Sequence, residues 1–296
     1  KPEVAFLESF TSQMFARRGT YGWGRGWGGD LYQTVVRAQL QPRILYEETL
    51  LKGGLEGVEV LVMGDCDVLT ESVVAAVLAF QKAGGLVVGD EELCPAIQPD
   101  VKVPRYRRTN VAADDFAALA ALSGTLRTDL AAAGYEWPLA SDNPDVLTRR
   151  RAADSTDYLF AINDKREAGS YVGNYGKVME NGLPSETILR LRREGGGHVY
   201  DLLARRALPA TSEDGQLVVP LSLGPCEGRL LMVSDRPVEQ IQLTGPKNAR
   251  LGESVEIVVS VTDADGKPLD AVVPVDLRIV DPEGVPAEPN GVYGAA

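Results

Sequence analysis

Residues 58–97 carry the pattern that most constrains the fold. Val58-Glu59-Val60-Leu61-Val62-Met63 runs into Gly64-Asp65-Cys66-Asp67; after an amphipathic stretch, Gly85-Leu86-Val87-Val88 runs into Gly89-Asp90-Glu91-Glu92. Two short, nearly continuous apolar runs around a helical period are the signature of buried parallel strands joined by a crossover helix. Thr70 is placed to cap that helix and Glu71 puts a negative charge in its first turn, where the helix dipole favours one. Val73, Val77 and Phe80 form its apolar stripe, and Gly84-Gly85 ends it. The carboxyl ends of such strands are where open α/β sheets hold their sites. Asp65, Asp67, Asp90, Glu91 and Glu92 are therefore candidates for an acidic site at one sheet edge. Clustered carboxylates suit a hard cation or a set of sugar hydroxyls, although the same residues also serve as caps and solvated loop ends.

The flanking sequence extends this unit. Residues 4–10 read as a first strand, Asp30 as the cap of a helix over residues 31–40 with Leu31, Val35 and Ala38 on one face, and residues 43–46 as a second strand. A loop with Arg105, Arg107 and Arg108, read as solvated charge offsetting an acidic surface, precedes an alanine-rich helix over residues 113–133. The α/β unit is expected to span residues 1–143. Beyond it, β-rich runs at 158–162, 187–191, 198–200, 217–219 and 229–233, punctuated by Gly, Asn, Asp and Pro, predict a β-sandwich over residues 144–235. In residues 236–296, alternation across 254–261, a turn at Asp263-Ala264-Asp265-Gly266 and a further strand over 272–280 read as the opening of an immunoglobulin-like module. Too few strands are present to close a sandwich of about 100 residues, so the natural protein is expected to continue past Ala296. The expected fold class is multidomain α/β plus all-β.

Composition narrows the function. A formal net charge of −12 argues against a nucleic-acid partner, since binding phosphates needs a basic face. No apolar run approaches the roughly 20 residues of a membrane helix, so no membrane span is expected. Cys66, Cys94 and Cys226 are odd in number and widely spaced, which points neither to a metal site nor to a disulfide framework; no metal and no cofactor are expected. His198, the single histidine, reads as a structural or surface residue at a strand start. The start at Lys1, just before a strand, reads as a processed or excised product, and an extracytoplasmic setting is favoured.

Two sets of segments carry a family resemblance. Gly57 to Val62, Asp67-Val68-Leu69-Thr70-Glu71 and Phe80-Gln81-Lys82-Ala83-Gly84-Gly85-Leu86-Val87-Val88 resemble the glutamine-amidotransferase-like domain behind the catalytic barrel in the β-galactosidase trimerisation-domain family. Tyr158-Leu159-Phe160-Ala161-Ile162-Asn163-Asp164, Val199-Tyr200-Asp201-Leu202-Leu203 and Leu223-Gly224-Pro225-Cys226-Glu227-Gly228-Arg229-Leu230-Leu231 are similar to the C-terminal β-sandwich of many glycoside hydrolases. The resemblance covers residues 1–235 and implies a flavodoxin-like or amidotransferase-like parallel sheet followed by β-sandwich modules. Catalytic amidotransferases set a nucleophilic cysteine at the sharp turn after a strand, next to a histidine. Here that turn is Gly89-Asp90-Glu91, without a cysteine at its tip, and His198 falls in the predicted sandwich, so no catalytic residue is assigned. Neither is the eight-fold strand and helix alternation of a glycosidase barrel present.

The loop Tyr21-Gly22-Trp23-Gly24-Arg25-Gly26-Trp27-Gly28-Gly29 is the second candidate. Glycines let backbone approach a ligand and tryptophans offer broad apolar faces, so Trp23, Arg25 and Trp27 read as a carbohydrate contact or a subunit interface. Gly24, Gly26 and Gly29 also match a dinucleotide fingerprint in form, but bulky Trp27 occupies the place where a pyrophosphate must approach. The expected role is an accessory region of a larger carbohydrate-active protein, with carbohydrate and a second copy of the chain as candidate partners. The alternatives are a hydrolase using the acidic cluster, with or without a metal, and an adhesion or cell-surface assembly protein.

Overall fold

The computed structural model describes residues 3–15, 27–109, 111–167, 169–172, 177–178, 180–250, 252–280 and 283–285. A parallel sheet is built from β1 (Val4–Glu8), β2 (Arg43–Tyr46), β3 (Val60–Met63), β4 (Leu86–Gly89) and β5 (Val101–Lys102), in the order β2-β1-β3-β4-β5. The helices are α1 (Phe10–Phe15), α2 (Trp27–Arg37), α3 (Glu47–Thr49) continuing into a π-type turn over Leu50–Gly54, α4 (Glu71–Lys82) and α5 (Ala112–Ala132).

Side chains alternate across the sheet and fill two cores. Val4, Phe6, Val60, Val62 and Val88 face Leu31 and Val35 of α2 and Leu126 and Leu130 of α5. Ala5, Leu7, Leu61, Met63 and Val87 face Val73 and Val77 of α4. Burying each large aliphatic side chain contributes about 1.5–3 kcal/mol, which explains why these strands read as unbroken apolar runs. Thr70 caps α4 as expected, its hydroxyl accepting the Val73 N–H at 3.4 Å, and Gly84 leaves the helix at φ +97°.

Three local expectations are corrected. The first strand stops at Glu8, because Ser9 caps α1: its hydroxyl accepts the Ser12 N–H at 3.0 Å and its carbonyl the Gln13 N–H at 3.2 Å. Asp30 lies inside the first turn of α2 rather than at its cap, its carboxylate committed elsewhere. Residues 272–280 form no regular strand; the Tyr158 hydroxyl takes the Val272 N–H and donates to the Val272 carbonyl at 2.8 Å, so the groups that start a ladder are already used.

Two antiparallel sheets follow. One has the order β16-β17-β13-β6, from β6 (Leu139–Ser141), β13 (Ser185–Arg192), β16 (Thr211–Glu213) and β17 (Gln216–Leu223). The other has the order β15-β14-β18-β8-β7, from β7 (Val146–Ala153), β8 (Thr156–Asn163), β14 (His198–Asp201), β15 (Arg206–Leu208) and β18 (Gly228–Ser234). Leu139, Leu189, Leu191, Leu217 and Val219 of the first pack on Val146, Leu159, Val199, Leu231 and Val233 of the second. β6 joins this pair of sheets upstream of residue 144, where the sequence texture changes. Four two-residue strands, β9 (Arg166–Glu167), β10 (Tyr171–Val172), β11 (Lys177–Val178) and β12 (Asn181–Gly182), form two short ladders. Finally, β19 (Gln240–Thr244) pairs with β20 (Val258–Thr262); the residues at 254–257 expected in that strand stand outside the ladder.

Candidate functional site

β3 and β4 are neighbours, with Met63 opposite Gly89, so the chains leaving their carboxyl ends emerge side by side. Gly64 lets the end of β3 run under α2, since a Cβ there would meet Leu31 at 2.5 Å. The next residue, Asp65, takes a left-handed turn at φ +58°, a conformation aspartate tolerates better than most residues. Asp65 and Asp90 therefore meet at the sheet edge, both buried.

Asp90 is a hub. Its Oδ2 accepts the Trp27 indole N–H at 2.7 Å, the Asp65 backbone N–H at 2.9 Å and an Arg105 N–H at 3.3 Å, and its Oδ1 accepts the Glu92 backbone N–H at 3.0 Å. Three of those donors converge on Oδ2, and the side chain is fully buried. Arg105 also donates to Asp65 Oδ1, and its guanidinium carbon lies 5.8 Å from the centre of the Trp27 ring. Burial works against the charge of Arg105, but the bond to Asp65 and the fields of Asp65, Asp90 and Glu92 outweigh it and hold the guanidinium above its usual range.

The segment after β5 is a strap tied at three points. Beyond Arg105, Arg108 grips the buried Asp30 carboxylate, its Nε lying 3.0 and 3.2 Å from the two oxygens. The Tyr106 hydroxyl donates to Asp115 Oδ1 at 2.7 Å, and the Thr109 N–H and hydroxyl reach the same oxygen at 2.7 and 2.9 Å. Hydrogen bonding to Asp115 pushes the Tyr106 phenol above its ordinary range, with burial adding to the effect. Arg105 and Arg108 are thus not solvated compensation for an acidic surface. Sequence reading missed them because their carboxylates are remote: Asp65 is 40 residues from Arg105, and Asp30 is 78 from Arg108. The available signal was the spacing of three arginines behind a two-residue strand.

The structure brings Trp27, Asp65 and Asp90 together, although the sequence offered them as two separate candidates. Trp27 is only 3% exposed and packs in the core of the α2 face. Glu91 and Glu92 are exposed and Asp67 is half-buried, so the five carboxylates differ in burial. Trp23 and Arg25 lie outside the described residues. Beside the hub, a cleft of about 450 Å³ is lined by Asp90, Glu91, Leu93, Pro99, Lys102 and Pro104. Among the described residues no group of three or more His, Cys, Asp and Glu is arranged to hold a metal ion. Cys66 is buried with its thiol 3.4 Å from the Gly64 carbonyl, while His198 sits exposed on β14 and makes no hydrogen bond to a cysteine. General acid–base work needs a carboxyl with a site open to substrate; the Asp90 carboxylate is instead buried and held by protein donors.

No family model matches the chain, and no curated protein matches it. Among solved structures it is similar to alpha-L-fucosidase isoenzyme 2 from Paenibacillus thiaminolyticus, at 12% identity and a TM-score of 0.54, over 79% of this chain and 48% of that one. It is also similar to a beta-galactosidase from Bacillus circulans sp. alkalophilus, at 10% identity and a TM-score of 0.48, over 79% and 41%. A rhamnosidase from Novosphingobium sp. PP1Y gives 13% identity and a TM-score of 0.47, over 84% and 24%. The chain therefore spans about half or less of the length of these glycoside hydrolases, and at such identity the likeness is one of fold. No helix among the described residues is long and apolar enough to cross a membrane.

Proposed function

We propose that this chain is an accessory region of a larger glycoside-hydrolase-like, carbohydrate-active protein, serving as scaffold, subunit contact or carbohydrate contact while the catalytic groups lie elsewhere. The observation that carries this reading is the buried Asp90 carboxylate: four protein donors hold it at the sheet edge where a catalytic group would stand. The fold likeness to a fucosidase more than twice this chain's matched extent supports the accessory part of the reading. In finer terms, residues 1–143 are an amidotransferase-like unit, and the strand order β2-β1-β3-β4-β5 supports a flavodoxin-like sheet. Residues 144–235 are a sandwich of the kind that follows glycosidase catalytic domains, and residues 236–296 a partial immunoglobulin-like module. Trp27 serves this role as a strut for the sheet edge, and carbohydrate or subunit contact falls to Trp23 and Arg25.

The test is turnover of a nitrophenyl-glycoside panel by the chain, alongside Asp90→Asn and Glu91→Gln variants checked for folding by circular dichroism. No hydrolysis is expected from any of the three proteins. Hydrolysis by the parent that disappears in a folded Asp90→Asn variant would replace this reading with a carboxylate hydrolase. For the contact role, Trp23→Ala and Arg25→Ala are expected to weaken oligosaccharide binding or shift the sedimentation coefficient, and unchanged glycan-array and sedimentation profiles would remove that role.

A further inference from the structure

The amino end of the same sheet holds a cavity of about 270 Å³ between the parallel unit and β7, with Glu3, Gln39, Gln41, Tyr135, Arg149 and Arg151 in its lining. The seam around it is bonded at several points. Arg37 pairs with Asp145 at 2.9 Å and Asp164 at 3.0 Å, Gln39 Nε2 donates to the Val146 carbonyl at 3.0 Å, and Gln39 Oε1 accepts the Thr148 hydroxyl at 3.0 Å. Against that background the unsatisfied groups in the cavity stand out.

Gln41 Oε1 accepts the Arg150 backbone N–H at 2.7 Å, which fixes the amide and leaves Nε2 as its donor end. That nitrogen is buried without a partner, and so is Glu3 Oε2. Each buried polar group left in this state opposes folding, so the pair calls for an explanation. Arg149 reaches only the Pro42 carbonyl, at 3.5 Å, and Arg151 has no ion pair or hydrogen bond among the described residues. Arg150, which also lines the cavity, is by contrast committed to Asp157 at 2.7 Å. The electrostatics agree with an unfilled complement. Burial, then Glu59, pushes the Glu3 carboxyl up against the pull of Arg192 and Arg150, while burial and the neighbouring Arg151 push Arg149 down.

The lining thus offers unused donor capacity on Arg149, Arg151 and the Gln41 amide against a single carboxyl, Glu3, as acceptor, with Tyr135 as an aromatic wall. Donor excess calls for an anion, and the carboxyl calls for a hydroxyl. The volume lies below the roughly 300–1,000 Å³ of ordinary ligand pockets, which limits the occupant to one small ring. We infer that this cavity binds a monosaccharide-sized hydroxy-carboxylate, a sugar acid, with its carboxylate on Arg149 and Arg151 and its hydroxyls on Gln41 Nε2 and Glu3. The inference does not rest on the accessory reading of the chain.

Tyr135 packs edge-on against Trp137 with centroids 4.9 Å apart, and the Trp137 indole N–H donates to the Ala38 carbonyl at 3.0 Å, which gives a reporter beside the cavity. The test is calorimetry, with the Trp137 indole resonance followed by NMR, using sodium D-galacturonate as probe and D-galactose and sodium acetate as comparison arms. Galacturonate is expected to bind one-to-one, shift the Trp137 signal and bind at least tenfold more tightly than either comparison compound. Arg149→Gln and Gln41→Leu are each expected to weaken it at least tenfold, whereas Arg205→Ala, at an exposed pair with Asp276 outside the cavity lining, leaves it unchanged. No galacturonate binding, equal binding of galactose or acetate, or affinity unaltered in both cavity variants overturns the inference. The parent's Trp137 shift keeps the test decisive if one variant fails to fold.

Discussion

The two ends of the five-stranded sheet are built from the same residue types and treat them in opposite ways. At the carboxyl end, Asp30, Asp65, Asp90 and Asp115 are buried and each is met by a donor on the strap after β5. At the amino end, Glu3 and Gln41 each keep a buried atom unpaired, in a cavity that Arg149 also lines. Open α/β sheets generally keep ligands at the carboxyl end. Here the Asp30, Asp90 and Asp115 carboxylates at that end are held by the protein's own donors, while the Glu3 and Gln41 atoms without partners lie at the other, against β7. The lesson is that charge at a sheet edge marks a site only when something remains for a ligand to satisfy.

The sharpest way to break this contrast is to remove one arginine from each end. Arg105→Met strands two buried carboxylates and is expected to lower unfolding free energy by about 3 kcal/mol, whereas Arg149→Met, which strands none, costs under about 1 kcal/mol. Equal losses in urea titrations of the two variants would erase the distinction. Trp27→Phe keeps most of the packed ring but removes the N–H to Asp90, for an expected loss of about 1–2 kcal/mol in the same titration; a loss below about 0.5 kcal/mol would show the hub is redundant.

Titration sharpens the comparison further. Burial holds the Glu3 carboxyl above its ordinary range, so its ionisation opposes folding and the penalty is present in full above that raised value. Glu3→Gln is therefore expected to raise Tm at pH 7, with the gain vanishing as pH falls below the ordinary glutamate range; a gain that persists at pH 3 would refute the assignment. Asp201 behaves with opposite sign. Burial opposes its ionisation, but the Ala204 and Leu203 N–H groups and Arg229 overcome this and hold it low, so its stabilisation is present above the ordinary carboxylate range and is lost as pH falls through the lowered value. The smallest effect is expected at Arg205→Ala. Arg205 and Asp276 pair at the surface with side chains 76% and 75% exposed, and the substitution should change stability by under about 0.5 kcal/mol.

Much of the fold was legible because it is written in local periodicity. The apolar runs of β3 and β4, the Thr70 cap and Gly84 stop of α4, the extent of α5 and the alternating strands β8 and β13 follow from side-chain period and capping chemistry alone. The strand over residues 272–280 failed for a non-local reason: alternation supplies the side chains of a strand, but a ladder also needs free backbone groups, and Tyr158 takes those of Val272. The acidic candidates were half legible. Asp65 and Asp90 were found because each follows a strand directly, while Glu91 and Glu92, next to Asp90, proved to be exposed loop residues.

The sequence by itself determined that this chain forms strand-helix-strand units followed by antiparallel sheets, because hydrophobic period and turn residues act over a few positions. Only the tertiary structure decided which charges are used up and which remain available. Arg105 meets Asp65 across 40 residues and Trp27 meets Asp90 across 63, and no pattern along the chain encodes such distances. Whether a buried polar group is satisfied depends on what the fold sets beside it, and that separates a closed sheet edge from an open cavity made of the same residue types.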